Sequence, residues 1–538
     1  MKTLFIFLFI AIVSIPLGGY QFGYKEHFYF IPLINRSISP ELYSNDYSYP
    51  HPHEGQSVLQ PVLSFSHPYF PNIPIQFFFF YIFFHTIWMF AIFRFSKLLL
   101  GKDSLALFSL LFFVTPKFIG GTAGLTYDSQ LLYRTAAIPF ALLGLVFFFE
   151  RKNNAFSILM ISIAALMHPL WAFYSLIPIW VDLTWRFVSK YRAHFIFFAI
   201  LCTLPFIAIV LSLYFFLDTP IVMDPTWKDI VMRRLPFAFL SRWDIQGWGN
   251  ILFFAVLFLS SLFHLSRFSQ KQAIFFPLLI TTFLAFIVPL IGEIFSITAL
   301  IQIQFARILI LPLLISIILF SSFCLRIFSL FRSIPTLVLL ALGIFAVEFP
   351  NPYLATLFVF VLCISFFPPG LRLIKNIYSH ISSQPIRFTL FHLILTILIF
   401  HVAAIYFGIR RDPDPHFVIF PDVQNPWIDV QLWAKKNTPT NALFLYNPFL
   451  SGWRMFSERG SVVEYKDGAP SIFSQSFARE WKRRIEKTKN AQYFTEQELE
   501  KLREEIPFDY FVQSKEMPLL SLPLVYENVR FRIYALKE

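Results

Sequence analysis

Directly after its first apolar run the chain reads Gly23-Tyr-Lys-Glu-His-Phe-Tyr29, followed by Leu42-Tyr-Ser-Asn-Asp46. Glu26 and Asp46 are carboxylates set among aromatic residues close to a hydrophobic segment. A carboxylate within reach of a hydroxyl can take its proton during group transfer. Close to a membrane surface, it can do so on a lipid-linked substrate that never leaves its anchor. The rival reading makes both residues solvated loop acids. A second constellation, Thr126-Tyr-Asp128-Ser-Gln130-Leu-Leu-Tyr133-Arg134, places Asp128 and Arg134 at the mouth of a later apolar run. A third, Gln302-Ile-Gln304-Phe-Ala-Arg307, opens a stretch without charges to Phe320. Guanidinium groups present a planar fork of donors that suits phosphate oxygens. An ionisable residue at the bilayer edge is costly enough to suggest use, although arginine also snorkels to the interface.

Other chemistry has less support. His168, beside Pro169 in the middle of an apolar run, either lines a polar cavity or is a satisfied core histidine. His51-Pro-His53-Glu54 resembles a metal clip, but the intervening proline holds the chain extended and splays the side chains. Cys202, Cys324 and Cys363 lie in apolar segments without CxxC spacing, as buried small hydrophobes do. Asn35-Arg-Ser37 fits a glycosylation triplet, a pattern that chance often supplies. Walker, GxGxxG, HExxH and G-x-S-x-G motifs do not occur. No metal site is assigned.

The elements that must hold these residues follow from composition. Of 538 residues 57% are hydrophobic, 20% aromatic and 14% charged, with 72 phenylalanines. Soluble domains carry about 25% charged residues, and a soluble core could not hide so many rings. This is the composition of a polytopic membrane protein. The net charge of +12 does not point to nucleic acid, because residues 410–538 hold 19 basic and 18 acidic groups. The excess lies earlier, in short loops such as Arg94/Lys97/Lys102, Arg151/Lys152 and Arg186/Lys190/Arg192. That is the positive-inside pattern.

Spanning a bilayer needs about 20 apolar residues. Candidate spans are Leu4–Leu17, read as an uncleaved signal anchor, and segments near 75–95, 103–120, 133–149, 155–182, 193–216, 250–266, 274–295, 304–325, 335–349, 353–368 and 388–408. Basic loops flank 156–180 on both sides, so it must enter and leave on one side. His168-Pro169 therefore predicts two half-length helices. Counted so, 13 segments put the N-terminus in the cytoplasm and the C-terminus outside. Residues 1–409 form an α-helical polytopic domain of about 11–13 spans with long outer loops at 18–74 and 218–250. Residues 410–538 form a small extracytoplasmic α/β domain of about 125 residues, enough for its own core. Helices are predicted over 427–436, 477–487 and 495–505, the last opened by the capping sequence Thr495-Glu-Gln-Glu498, and strands over 442–446, 461–465, 510–513, 524–527 and 531–536. Within this tail Trp453-Arg454, Arg459, Glu464-Tyr-Lys466-Asp467 and Glu480-Trp481-Lys-Arg-Arg484 combine aromatic faces with basic forks. They suit sugars and phosphates, or structural ion pairs equally well.

The whole arrangement resembles the GT-C class of membrane glycosyltransferases, which includes protein mannosyltransferases and aminoarabinose transferases. The likeness rests on the acidic first outer loop, the span count, the broken helices in mid-chain and the outward α/β tail. It implies transfer of a sugar from a polyprenyl-phosphate-linked donor, with inversion, to a glycan, lipid or protein acceptor at the outer face of a bacterial inner (plasma) membrane. By position Glu26 or Asp46 would fill the family's acidic-residue role, as base or by positioning the acceptor, with Arg134 and Arg307 as donor-phosphate contacts, and His27, Asp128 and His168 in supporting binding roles. The family often pairs two acids in this loop, whereas here the neighbours are Glu26-His27 and Asn45-Asp46. Membrane lipid and lipid-linked sugar are the expected partners, and nucleic acid is not. A transporter or flippase of lipid-linked saccharides would carry repeats and midplane ionisable groups. A catalytically inert assembly protein would need neither acid.

Overall fold

The computed structural model of the chain describes residues 2–49, 57–151, 154–191, 195–217, 219–262, 272–330 and 415–536. The expected spans at 335–349, 353–368 and 388–408, the His51–Glu54 motif and Cys363 lie outside them.

The chain is a helical membrane protein. Its helices begin with α1 (Lys2–Gly18), α2 (His27–Ile38), α3 (Leu59–Ser66), α4 (Ile73–Leu100), α5 (Asp103–Ser109), α6 (Tyr133–Glu150), α7 (Asn154–Met167), α8 (Pro169–Tyr191) and α9 (Phe195–Leu217). They continue with α10 (Pro225–Arg234), α11 (Ile245–Leu262), α12 (Gln272–Phe295), α13 (Thr298–Gln302) and α14 (Ile310–Leu330). Among the described residues, five stretches are long and apolar enough to cross a bilayer: Ile73–Leu100, Tyr133–Glu150, Phe197–Tyr214, Ile274–Phe295 and Thr298–Leu325. Helix α4 shows why its ends fall where they do. Asn72 accepts the Ile75 N–H at 3.1 Å and a proline occupies the first turn. Gly101 closes the helix at φ 76°, a left-handed conformation that glycine adopts without strain. Its 28 residues span about 42 Å. Gly144 of α6 meets α7 so closely that a Cβ there would lie 2.5 Å from Ile161, the small-residue contact that brings membrane helices together.

Several stretches differ from the sequence reading. Residues 103–120 make only α5 and a 3-10 turn, Leu110–Phe113, before an irregular loop begins. Pro116 disfavours helix at the residue before it. The break at His168-Pro169 is present, but its two helices are unequal, 14 and 23 residues. The long loop after α1 is itself built of helices, α2 and α3.

The tail contains α15 (Pro426–Asn437), α16 (Trp453–Ser457), α17 (Gln475–Thr488) and α18 (Glu496–Glu505). Its strands are β3 (Leu443–Leu445), β4 (Gly460–Ser461), β5 (Tyr510–Ser514), β6 (Leu524–Glu527) and β7 (Phe531–Ala535), in the order β4-β3-β5-β7-β6. The first three pair in parallel, and β7 runs antiparallel to both β5 and β6. Alternation along β3 sends Leu443 and Leu445 to one core, with Trp481 and Ile485, and Phe444 to the other, with Val430 and Ala434. Expected strand 461–465 is mostly absent, because a 3-10 helix starts at Tyr465.

This unit is joined to the rest by core packing, strand pairing and polar contacts. Helix α10 packs Trp227 and Val231 into the same core as Leu443 and Trp481, and the Trp227 indole N–H donates to the Ser471 carbonyl at 2.7 Å. The residues after α1 form a short parallel pair, β1 (Tyr20–Gln21) with β2 (Phe417–Val418). Beside it the His416 ring lies 3.1 Å from the carbonyls of Pro16 and Leu17.

Candidate functional site

Glu26 is the N-cap of α2 and follows Lys25, whose φ of 46° is left-handed. Non-glycine residues seldom adopt that conformation, and they often do so beside functional groups. His27, next in line, is completely buried. Its Nδ1 accepts the Gly23 N–H at 3.1 Å, so Nε2 carries the proton that it donates to the Leu131 carbonyl, also at 3.1 Å. Burial pushes this imidazole down to about 4, against the pull of the Leu131 bond. Near neutral pH it is uncharged with both nitrogens engaged. His27, expected among the binding groups, is thus a post that fixes the loop under Glu26. Gln130 adds a second tie, donating to the carbonyls of Gln21 (3.3 Å) and Tyr24 (2.5 Å).

Around Glu26 the charges are mostly positive. Lys466 Nζ, from the tail, lies 3.6 Å from Glu26 Oε1, with each side chain about one-third exposed (29% and 32%). Burial alone would raise the Glu26 carboxyl, but Lys466, Arg134 and Arg234 together hold it below the ordinary carboxylate range. Arg134, in the first turn of α6, binds Asp128 through both arms of its fork at 2.7 and 2.8 Å. Arg307 sits in the 3-10 turn Phe305–Leu309 between α13 and α14, after Gln304 at φ 46°. Tyr174 pins that turn by donating to the carbonyls of Ile303 and Gln304, at 2.5 and 3.2 Å. The Arg307 guanidinium lies 5.2 Å over the Phe237 ring, and its buried Nε has no hydrogen-bond partner among the described residues. It lines a pocket with Thr122, Phe237, Ala238, Pro289, Gln304 and Ala306. Arg134, Asp128 and Glu26 are the charges in its field. The structure thus brings Glu26, Asp128, Arg134 and Arg307 into one neighbourhood.

Asp46 belongs to a different arrangement. Its carboxylate takes Arg454 Nε at 2.6 Å and Nη2 at 3.1 Å, with the N–H groups of Ser461 (2.7 Å) and Ser48 (2.9 Å). Arg454 turns its remaining donors to Asp467 at 2.8 and 2.9 Å. Glu464 completes the group by accepting from the Tyr446 hydroxyl (2.7 Å) and the N–H groups of Trp453 (2.9 Å) and Gly452 (3.1 Å). Burial, opposed by Arg454 and reinforced by Asp467, pushes the Glu464 carboxyl up to about 7. A carboxylate with four donors and no exposure has no lone pair turned toward a substrate. Of the two candidate acids, Glu26 has the accessible geometry. His168 is half-buried in the α7–α8 break, where Ala164 and Trp171 bond to its backbone.

Arg234, Arg454 and Lys466 were visible in the sequence only as charges near aromatic residues. No local signal ties them to acids 208 to 440 positions earlier in the chain, since those partners meet only through the tertiary fold. Among the described residues, no three His, Cys, Asp or Glu side chains gather in a group that could hold a metal ion.

Residues 425–488 match a family described as a domain of unknown function, DUF6798. That segment holds Arg454, Glu464, Lys466 and Asp467. No curated protein matches the chain.

Proposed function

We propose that the protein is a GT-C-type membrane glycosyltransferase of about 11–13 spans. In this reading it moves a sugar from a polyprenyl-phosphate-linked donor to an acceptor hydroxyl at the outer face of the membrane, where the tail lies. The observation that carries this is an accessible carboxylate, Glu26, among Arg134, Arg234, Arg307 and Lys466, at the mouths of two apolar helices.

Glu26 would accept the proton of the acceptor hydroxyl as its oxygen attacks the sugar carbon and the bond to the phosphate oxygen breaks. The electron pair leaves with the polyprenyl phosphate. Arg134 and Arg307 would meet the charge growing there, already fixed in a partly buried setting, where such groups stabilise a transition state well. Asp128 holds Arg134 in line. A phosphate in this cluster would offset its cations and make Glu26 a stronger base.

The test is donor consumption in vesicles with the tail side exposed, using a panel of labelled polyprenyl-phosphate sugars. Wild type should consume one donor, and Glu26→Gln should lose turnover by about a hundredfold or more while remaining folded. Donor consumption undiminished in Glu26→Gln would remove this acid from the mechanism. No consumption of any donor by folded wild type would favour the transporter or assembly-protein readings.

A further inference from the structure

The charged neighbourhood of Glu26 is completed from the tail, and the segment supplying it is clamped on both sides. The Arg234 guanidinium donates to the carbonyls of Tyr465 (3.0 Å) and Lys466 (3.2 Å) and stacks 4.8 Å over the Tyr465 ring. Just beyond, Asp467 is held by Arg454, which is itself held by Asp46. Gly468 lies so close to Trp481 and Arg234 that a Cβ would approach them to 2.6 and 2.9 Å. The backbone of residues 465–468 therefore has little freedom, and the Lys466 side chain leaves it toward Glu26.

We propose that Lys466 is a positioning residue for Glu26: the tail uses this lysine to orient the carboxylate and keep it ionised, so the site is complete only when tail and membrane part are docked. This rests on the reading of Glu26 as the reacting carboxylate, but the ion pair can be tested without it. Among the described residues, the other charged and titratable groups facing Glu26 include Arg134 from α6, Arg234 from α10, Arg307 between α13 and α14, and His27 and Tyr29 from α2 itself. Lys466 forms a direct ion pair with Glu26 at 3.6 Å. Its electrostatic effect on Glu26 is in the lowering direction, so its removal should raise the proton affinity of the carboxyl.

The experiment follows the pH dependence of carbodiimide labelling at Glu26 in full-length protein, read by peptide mass spectrometry. The exposed Glu41 serves as internal standard. Carbodiimide attacks the protonated carboxyl, so the pH at which labelling falls off reports its ionisation. Lys466→Gln should move that midpoint up by about one unit, a tenfold gain in proton affinity. Lys466→Arg should restore it, and Glu41 should not move. Turnover of the same variants should show the acid limb shifting upward by a matching amount. A merely structural lysine would lower activity equally at every pH and leave the labelling midpoint in place. An unmoved midpoint, or no rescue by arginine, would overturn the proposal whatever the activity. A moved and rescued midpoint in protein that consumes no donor would uphold the ion pair and count against the glycosyl-transfer reading instead.

Discussion

Arg454 Nε and Asp46 Oδ2 meet at 2.6 Å across 408 positions of sequence, with 3% of one side chain and none of the other exposed. The pair fastens the loop that carries Glu26 to the tail that carries Lys466. The Arg454 guanidinium offsets the buried negative charge of Asp46, Asp467 and Glu464. The group holds together because backbone N–H donors and the Tyr446 hydroxyl take up the remaining lone pairs.

Breaking such a pair from one side leaves a buried charge without compensation. Arg454→Met should therefore cost about 3–5 kcal/mol of stability. Asp46→Asn should be destabilising too, and Glu26→Gln nearly neutral. Thermal unfolding in detergent, with limited proteolysis of the tail, checks all three. A destabilisation by Glu26→Gln as large as that of Arg454→Met would mean that Glu26 belongs to the structural network.

Arg307 offers a cleaner probe of phosphate binding than Arg134, whose loss would strand the buried Asp128. Replacing it by lysine keeps the charge but removes the planar fork. Arg307→Lys should raise the donor KM by roughly tenfold or more, the scale of one charge-assisted hydrogen bond. An unchanged KM would place the phosphate elsewhere.

His27 gives stability a pH dependence of definite sign. Above pH 6.5 the imidazole is neutral in the folded and unfolded chain alike, so it adds no slope. Between pH 6.5 and about 4 the unfolded chain binds a proton that the folded chain refuses. Stability should therefore fall as pH drops through this window, by a total of roughly 3 kcal/mol. His27→Gln should flatten that slope in a melting series from pH 5 to 7. An unaltered slope would show that the histidine is not the group responsible.

Gly468→Ala would push a methyl group into the Trp481 ring and the Arg234 guanidinium. Overpacking of this kind costs about 1–3 kcal/mol. The displaced segment should also withdraw Lys466, so the Glu26 labelling midpoint should rise in this variant without any charge being removed. A destabilised protein with an unmoved midpoint would separate the packing of residues 465–468 from the ion pair.

Much of the tail was legible from sequence because its signals are local. Asn425 and Thr495 cap their helices with their own side chains, and alternation along Leu443–Leu445 sorts residues to two faces. The apolar runs likewise mark membrane helices, and His168-Pro169 marks a true break. What sequence could not decide was which acid is free. Glu26 and Asp46 look alike in composition and neighbours, and they differ mainly in what the distant tail brings to them: a single lysine at 3.6 Å for one, and three donors, two from Arg454 and one from Ser461, for the other. The short helices α2, α3 and α10 also escaped notice, since their lengths give too few turns for a clear period and their partners lie in other segments.

The pairing of Tyr20–Gln21 with Phe417–Val418 has a consequence for how the protein is made. During synthesis at about 5–20 residues per second, the segment after α1 emerges roughly 20–80 seconds before its strand partner exists. Asp46 waits about as long for Arg454. Through that interval the acidic loop must stay hydrated and uncommitted, and the membrane helices between must insert without capturing it. Chains that stop before residue 417 lack the partner strand as well as Arg454 and Lys466, so neither Asp46 nor Glu26 would find its partner from the tail.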